Sequence, residues 1–194
     1  MKTGFAAVAL FITAALAVAV PEKEGWYVRS AEQVERENLA LVDLEVTSDL
    51  IPGVVFTGTA ESIYYEMKAI NPASVGNTTP VLSERSLAKR SFNCGWGAPV
   101  GSWNYCIEGV GYLKNLGSAW CGVGAAPACA RVSCSHGCGM YLCNKLNAPF
   151  RVFCGDIAKD IHDIAEECGG PVFSRPSGAR DFSSHFIGLG ADNC

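Results

Sequence analysis

Apolar and polar residues follow several different spacings along this chain, and each spacing predicts its own kind of element. After Asp156, apolar side chains recur at steps of three and four residues, as on one face of an amphipathic helix: Ile157, Ile161, Ile164, Ala165 and Cys168. Asp156 belongs to the residue types that favour an N-cap, and Gly169-Gly170 ends the pattern. The charged residues between the apolar ones should face solvent: Lys159, Asp160, Asp163, Glu166 and Glu167.

A shorter helix and a β-hairpin are predicted before this helix. The helix covers 105–114, where one face carries Ile107, Val110 and Leu113. Two runs of strand-forming residues, 131–135 and 139–143, flank His136-Gly137 and predict the hairpin. A last strand is predicted over 185–189. These elements predict an α+β fold, a small α/β sandwich in which two helices cover an antiparallel sheet.

Weaker patterns occupy the region before residue 90. Partial alternation over 39–46 and the apolar run 53–56 predict two strands. Thr59 is a suitable N-cap for a helix with one apolar face, formed by Ile63, Met67 and Ile70. Such elements can pack on the rest of the chain as a chaperone or a mask. The alternative is a passive spacer.

The start of the chain has the order of residues that is typical of a secretory signal peptide. Lys2 precedes an apolar run over 5–20, and the small residues Ala17 and Ala19 suit its removal. We therefore assign 1–19 to the signal peptide. A membrane-spanning helix needs about 20 apolar residues, and no later apolar run is longer. We expect a secreted, extracellular protein with no stable membrane anchor.

All ten cysteines lie after the dibasic pair Lys89-Arg90. They are Cys94, Cys106, Cys121, Cys129, Cys134, Cys138, Cys143, Cys154, Cys168 and Cys194. An even number of cysteines in a short secreted segment predicts a disulfide framework, here of five bridges. The connectivity stays open, because ten cysteines allow roughly 945 pairings.

The same boundary predicts proteolytic maturation. Residues 86–90 read Ser-Leu-Ala-Lys-Arg and offer the adjacent cations that a kexin-type processing protease recognises. We predict a pro-region over 20–90 that ends at this site and a mature disulfide-rich domain over 91–194. The alternative is an exposed basic pair on an intact two-domain protein. Asn77 begins a glycosylation sequon and would leave with the pro-region.

The charge of the chain limits its partners. The region 20–90 holds 11 acidic and 7 basic residues, whereas 91–194 holds 8 acidic and 7 basic residues. Nucleic-acid-binding and cationic membrane-lytic proteins need a marked positive excess. We therefore expect no nucleic-acid partner.

Aromatic side chains cluster among glycines near the start of the predicted mature domain: Trp96, Trp103, Tyr105 and Trp120. An exposed aromatic surface can recognise a partner protein, a glycan or a membrane protein. The alternative is aromatic packing over a small core. We take the three tryptophans of this group as candidate binding residues.

Acid–base catalysis is one alternative to binding. Small secreted fungal ribonucleases use His, Glu and Arg side chains, and the region after Arg90 offers His136, His162, His185, Glu108, Glu166, Glu167 and Arg151. The sequence contains no Tyr-x-His-x-Tyr run, which those enzymes carry on one strand. We therefore expect that the protein is not an enzyme, with a small secreted ribonuclease as the alternative.

Zinc binding is the other alternative. Cysteines 129, 134, 138 and 143 surround His136, and thiolates and imidazole are zinc ligands. The spacing lacks a Cys-x-x-Cys knuckle, and secretion favours disulfides. We expect no metal and no other cofactor.

Four short motifs suggest a family: Asn93-Cys94, the run ARVSC over 130–134, the run CGDIAKDI over 154–161 and the closing ADNC over 191–194. With the ten cysteines and the predicted order of elements, 91–194 resembles the killer protein 4 family of fungal toxins and related small cysteine-rich secreted fungal effectors. The resemblance implies an α/β sandwich.

The resemblance also implies a function, the inhibition of cation channels on target cells with the help of a basic residue just before a strand. Arg131 matches that position best, because it follows Cys129-Ala130 and precedes the predicted hairpin strand. The chain departs from the family in its tighter spacing between Cys134 and Cys154 and in its nearly neutral charge. We expect a secreted fungal effector or killer-toxin-like virulence protein that binds a target-cell or host surface protein. A cell-wall or glycan-binding protein is a further alternative.

Overall fold

The computed structural model describes residues 29–76, 91–124, 127–170 and 174–194. The predicted signal peptide, the sequon at Asn77 and the dibasic pair Lys89-Arg90 lie outside the described residues and stay predictions. Within the described residues, helices and two sheets form a mixed fold that is held by five disulfides. The predicted small disulfide-rich α+β class is confirmed.

The elements follow one another along the chain as α1 (Ser30–Arg36), β1 (Ala40–Val42), β2 (Leu44–Ser48), β3 (Ile51–Gly58), α2 (Ala60–Ile70), β4 (Ser91–Asn93), α3 (Ile107–Leu116), β5 (Trp120–Val123), β6 (Ala128–Ser135), β7 (Cys138–Asn144), β8 (Phe150–Phe153), α4 (Cys154–Cys168), β9 (Gly178–Asp181) and β10 (His185–Ala191). Two 3-10 turns, Pro72–Ser74 and Trp103–Tyr105, complete the described elements. No helix of the described residues is long and apolar enough to cross a membrane.

The first sheet has six strands in the order β1-β6-β7-β10-β9-β4. Its neighbouring strands are antiparallel except for β1, which runs parallel to β6. The predicted hairpin is confirmed as β6 and β7. His136 and Gly137 have φ values of 49° and 81°, which matches the two left-handed positions of a tight hairpin turn.

The second sheet, which the sequence pattern did not predict, has four antiparallel strands in the order β3-β2-β5-β8. Its central pair joins distant parts of the chain, because Val46 of β2 lies opposite Cys121 of β5. The region before residue 77 therefore supplies half of this sheet. In this structure it packs with the rest of the chain.

The helix predicted from Asp156 is α4, but it begins at Cys154 and Phe153 is its N-cap. The prediction that Asp156 caps it is wrong, because β8 runs directly into the helix and a disulfide to Cys121 holds Cys154 at its first turn. Asp156 lies within that first turn, where a negative charge suits the helix dipole. The predicted apolar face is buried, with Ile157, Ile161, Ile164 and Ala165 at 0% exposure.

Asp160 does not face solvent as predicted. Its side chain is fully buried, and one of its oxygens accepts a hydrogen bond of 2.8 Å from Arg180 of β9. The reason is that α4 is covered on more than its apolar face, since it packs against β9 and β10 as well as α3.

One main hydrophobic core contains side chains from both 29–76 and 91–194. Leu44, Val46 and Met67 from the region before residue 77 are packed in the same cluster as Leu113 and Ile157. α2 begins as predicted at Thr59, whose side chain and that of Ser62 form a capping box. Its Ile63 is buried, but Ile70 is exposed.

All ten cysteines are paired, as predicted. The bridges are Cys94–Cys168, Cys106–Cys138, Cys121–Cys154, Cys129–Cys143 and Cys134–Cys194. Every bridge joins two residues of 91–194, so none reaches the region 29–76.

Candidate functional site

The outer face of the second sheet carries an open groove of ≈ 340 Å³, the Trp120 groove. Its lining residues are Glu45, Thr47, Trp120, Gly122, Val123, Gly124, Pro149, Phe150 and Arg151. Strand register explains the arrangement, because Gly122 lies opposite both Glu45 and Arg151, while Trp120 lies opposite Thr47 and Phe153. Residues opposite one another in antiparallel strands share a face of the sheet.

Trp120 forms a fixed aromatic wall of the groove. Its ring is stacked on Phe153, with 4.0 Å between the ring centroids and 29° between the planes. The guanidinium of Arg151 lies 4.7 Å from the centroid of the same ring. Stacking and cation–π contacts of this kind are attractive, so the indole has a defined orientation before any ligand binds.

Two glycines keep the floor of the groove open. A Cβ on Gly122 would lie 3.1 Å from the carbonyl oxygen of Phe150, and a Cβ on Gly124 would lie 2.5 Å from Oε1 of Glu45. The second approach is closer than atoms tolerate, so a side chain at 124 would displace the carboxylate. Gly124 thus lets Glu45 lie along the floor.

The groove combines opposite charges with a hydroxyl group. The carboxylate of Glu45 and the guanidinium of Arg151 are both exposed, and neither forms an ion pair with another described residue. Thr47 adds a hydroxyl donor and acceptor opposite Trp120. The formal charges cancel, and the polar atoms stay available to a ligand.

Arg131, the residue that matches the toxin resemblance, lies within β6 and not before it. β6 begins at Ala128, and Arg131 lies opposite Tyr141 of β7. The predicted position is therefore wrong, because the strand extends three residues further toward the N-terminus to pair with β1. The Arg131 side chain is 43% exposed and lines a second open cavity with Asp43 and Thr59.

The guanidinium of Arg131 already forms an ion pair within the fold. Its Nη1 lies 3.7 Å from Oδ2 of Asp192, whose side chain is buried. The Tyr141 hydroxyl donates a hydrogen bond to the same carboxylate oxygen. Burial, with the hydrogen bond to Asp192, raises the pKa of Tyr141 well above its ordinary value. Arg131 is therefore the counter-ion of a buried carboxylate.

The other candidate aromatic residues do not join Trp120 in one surface. Trp96 is only 2% exposed and contacts Tyr141 and Phe186 edge-on, so its predicted role as an exposed contact is wrong. Gly188 makes room for its ring, since a Cβ there would lie 2.5 Å from Cη2. Trp103 is half-buried and lies edge-on to His162 of α4. The predicted alternative, packing over the core, holds for Trp96.

The residues considered for acid–base catalysis are dispersed. His136 and Glu108 approach each other, with 3.5 Å between Nε2 and Oε2, and Ser135 donates a hydrogen bond of 3.0 Å to that same oxygen. His185 is buried between the rings of Phe150 and Phe182. Arg151 belongs to the Trp120 groove. From this set the described fold therefore assembles two His–Glu pairs. One is His136 with Glu108, and the other is His162 with Glu166 on α4, where one ligand atom of each lies within 4.8 Å of the other.

The cysteines considered for zinc are all bonded to sulfur. Cys129 pairs with Cys143, while Cys134 and Cys138 pair with Cys194 and Cys106. A disulfide sulfur is not a thiolate ligand. The interpretation of this cluster as a disulfide framework is confirmed.

Glu45 and Thr47 are the polar side chains of the groove that the sequence analysis does not identify. Both lie in the region that the sequence analysis assigns to the pro-region. The alternation over 44–48 is a sequence signal for both residues. It puts Leu44, Val46 and Ser48 on the buried face of β2 and Glu45 and Thr47 on the other face. That alternation identifies the outward residues of β2 but not the strand that lies beside them.

Comparison of the chain with protein-family models, with curated proteins and with solved structures finds no match. The ligand must therefore be inferred from the residues that the fold brings together.

Proposed function

We propose that the protein is secreted and acts outside the cell by binding a component of a target cell without turnover, in the manner of a fungal effector or killer toxin. The observation that carries this proposal is the Trp120 groove, an open surface in which strand register brings an aromatic ring, a carboxylate and a guanidinium together. Five disulfides support action in an oxidising, extracellular setting.

The groove favours recognition over catalysis. General acid–base catalysis needs a proton donor and acceptor within reach of the reacting atoms, and the groove lining has no imidazole and a single carboxylate. Aromatic and arginine side chains are the types that dominate binding energy at interfaces. The His136–Glu108 pair keeps a ribonuclease-like activity as the enzymatic alternative, which is tested below.

A cation channel is the target class that the toxin resemblance implies, with Arg131 as its contact. The ion pair of Arg131 with Asp192 favours the Trp120 groove as the primary contact surface, because a ligand at Arg131 would compete with a buried carboxylate.

A glycan of the cell wall or cell surface is the second candidate ligand. The cancelling charges of Glu45 and Arg151 suit a neutral ligand, and the carboxylate, hydroxyl and guanidinium groups can accept from and donate to sugar hydroxyls. The Trp120 ring offers an apolar surface beside them.

Binding of the labelled protein to target cells and to isolated wall polysaccharide tests the proposal. Trp120→Ala should weaken binding by about 30-fold, the size expected for an interface hot spot. Arg151→Gln, which changes an exposed side chain, should weaken it in the same assay and keeps the test valid if Trp120→Ala lowers stability. Tyr105→Ala is the matched control, because Tyr105 is an exposed aromatic residue outside the groove lining.

Each outcome has a meaning. Binding to wall polysaccharide that depends on Trp120 supports the glycan ligand, and binding to intact cells alone supports a surface protein. Equal binding by the Trp120, Arg151 and Tyr105 variants removes the groove from the function. Digestion of RNA that is lost in His136→Ala would replace binding by catalysis.

A further inference from the structure

We propose that residues 29–76 stay bound to residues 91–194 after a cut at Arg90, so that the working protein consists of two chains with no covalent link. The binding partner of 91–194 is thus 29–76, a segment of the same translated chain. The inference rests on packing between the two parts and does not depend on the ligand of the Trp120 groove.

Backbone pairing joins the two parts in both sheets. β2 lies between β3 and β5, with Glu45, Val46 and Thr47 opposite Gly122, Cys121 and Trp120. In the first sheet, β1 pairs with β6 from Ala40 to Val42. Loss of 29–76 would reduce the second sheet to β5 and β8 and would expose the backbone edges of β5 and β6, which in a free protein invite aggregation.

The side chains between the two parts are buried as deeply as a domain core. Val46, Ile63 and Met67 have 0% exposure, and Leu44 and Phe56 have no more than 4%. They belong to one hydrophobic cluster with residues of α3, β5, β6 and α4. Interfaces that form and separate easily are more polar than this, whereas permanent ones resemble a core cut in two.

A second contact joins α2 to α3 at the surface. The rings of Tyr64 and Tyr65 lie 5.5 Å and 5.8 Å from the ring of Tyr112, measured between centroids. The hydroxyls of Tyr65 and Tyr112 are 3.2 Å apart, and Tyr112 also donates to Glu61 at 3.4 Å. These contacts extend the apolar core into a polar rim.

A third contact fixes α1. Val34 is fully buried in the cluster that contains Trp96 and Tyr141. Ser30 is buried, and its hydroxyl donates a hydrogen bond of 3.3 Å to the carbonyl oxygen of Ala191. Residues 29–76 are therefore attached along their length and not at one point.

Disulfides cannot provide the link, because all ten cysteines lie in 91–194 and are paired with one another. The groove also depends on both parts, since Glu45 and Thr47 come from one and Trp120 and Arg151 from the other. A protein that released 29–76 would lose the part of the groove lining that Glu45 and Thr47 supply.

The test is to cut the folded full-length protein and to weigh it under native and denaturing conditions. A kexin-type protease is used for Lys89-Arg90, and a second chain carries the recognition sequence of a site-specific protease in place of 84–90, so that a cut is obtained in either case. Denaturing mass spectrometry should give two chains. Native mass spectrometry and size exclusion should give a single species that contains both.

A matched pair of substitutions makes the test specific. Val46→Asp places a charge in the shared core, whereas Val55→Asp makes the same change on β3 at a side chain that is 59% exposed. After the cut, the Val46→Asp protein should release the segment and the Val55→Asp protein should retain it. Release of 29–76 from the cut wild-type protein overturns the proposal, as does equal behaviour of the two variants. Because the readout is mass and not binding, failure here is distinct from failure of the proposed ligand.

Discussion

Arg180 is nearly buried on β9, and two carboxylates of α4 share its guanidinium. Nη1 donates hydrogen bonds to Asp160, at 2.8 Å, and to Asp163. The rings of Phe92 and Phe182 lie within 5.6 Å of the guanidinium carbon. Removing one partner of such a buried pair commonly costs about 3–5 kcal/mol, so this residue ties β9 of the first sheet to the helix.

Asp163 gives this cluster a dependence on pH. Partial burial by itself raises the pKa of its carboxyl, but hydrogen bonds from Lys159 and Arg180 and their charges outweigh that effect and hold the pKa below its ordinary value. A carboxyl with a lowered folded-state pKa stabilises the fold above its unfolded pKa, and this contribution is lost as the pH falls through the folded value.

We predict that Asp163→Asn lowers the free energy of unfolding at pH 7 and that its difference from the wild type shrinks below about pH 4, where the unfolded carboxyl is protonated. Denaturant unfolding at several pH values measures this. Glu167→Gln on the exposed side of α4 should keep the full pH dependence of the wild type. A constant difference between Asp163→Asn and the wild type down to pH 2 would contradict the prediction.

At this scale the sequence pattern was sufficient for the apolar side chains of α4 and for its exposed charges Lys159, Glu166 and Glu167, and it failed for Asp160. Steps of three and four residues identify Ile157, Ile161 and Ile164 as buried, because helix geometry alone puts them on one face. The burial of Asp160 depends on Arg180, twenty residues away in another strand. No local spacing contains that pairing.

At the scale of elements, the β6–β7 hairpin depends on its two-residue turn. Gly137 has a φ of 81°, and a Cβ there would find its nearest neighbour, the carbonyl oxygen of Asp192, at 3.8 Å. Space is therefore available, and the constraint is the left-handed backbone, which costs a residue with a Cβ about 1 kcal/mol.

We predict that Gly137→Ala lowers the free energy of unfolding by about 1 kcal/mol. Gly111→Ala provides the contrast, because Gly111 lies in α3 with no atom near the new Cβ. That change should stabilise the protein by about 0.5–1 kcal/mol. Thermal and denaturant unfolding of both variants decide the matter, and a loss of stability in both would show that turn geometry is not the cause.

Elements with strong local patterns were predictable, and the sheet that carries the groove was not. The hairpin, the last strand and the two later helices follow from residue spacing within short windows. The second sheet pairs β2 with β5, which are separated by more than seventy residues. The cysteine boundary at Arg90 favours a site within 91–194, whereas Glu45 and Thr47 of the groove lie before that boundary.

At the scale of the whole molecule, the region 29–76 completes the core on which the disulfide-linked part folds. Without it, the apolar side chains of 91–194 that pack against Val46, Ile63 and Met67 would face water. Correct pairing of ten cysteines would then compete with aggregation.

We predict that reduced, unfolded 91–194 regains its five native disulfides with a higher yield when a 29–76 peptide is added. Peptide mapping of the refolded bridges measures the yield. The same peptide with Val46→Asp should give no improvement, because it cannot enter the core. Equal yields with and without the wild-type peptide would show that 29–76 does not assist disulfide pairing.

The placement of every disulfide after residue 91 gives the cut protein two separate routes to inactivation. A reducing environment attacks only the larger chain. Dilution separates the two chains, because a cut removes the tether that keeps the smaller chain at an effective concentration in the millimolar range. At high dilution, a segment that has dissociated does not rebind. The time that 29–76 stays bound would then limit how long the protein remains active. It would also limit how far the active protein diffuses from its source.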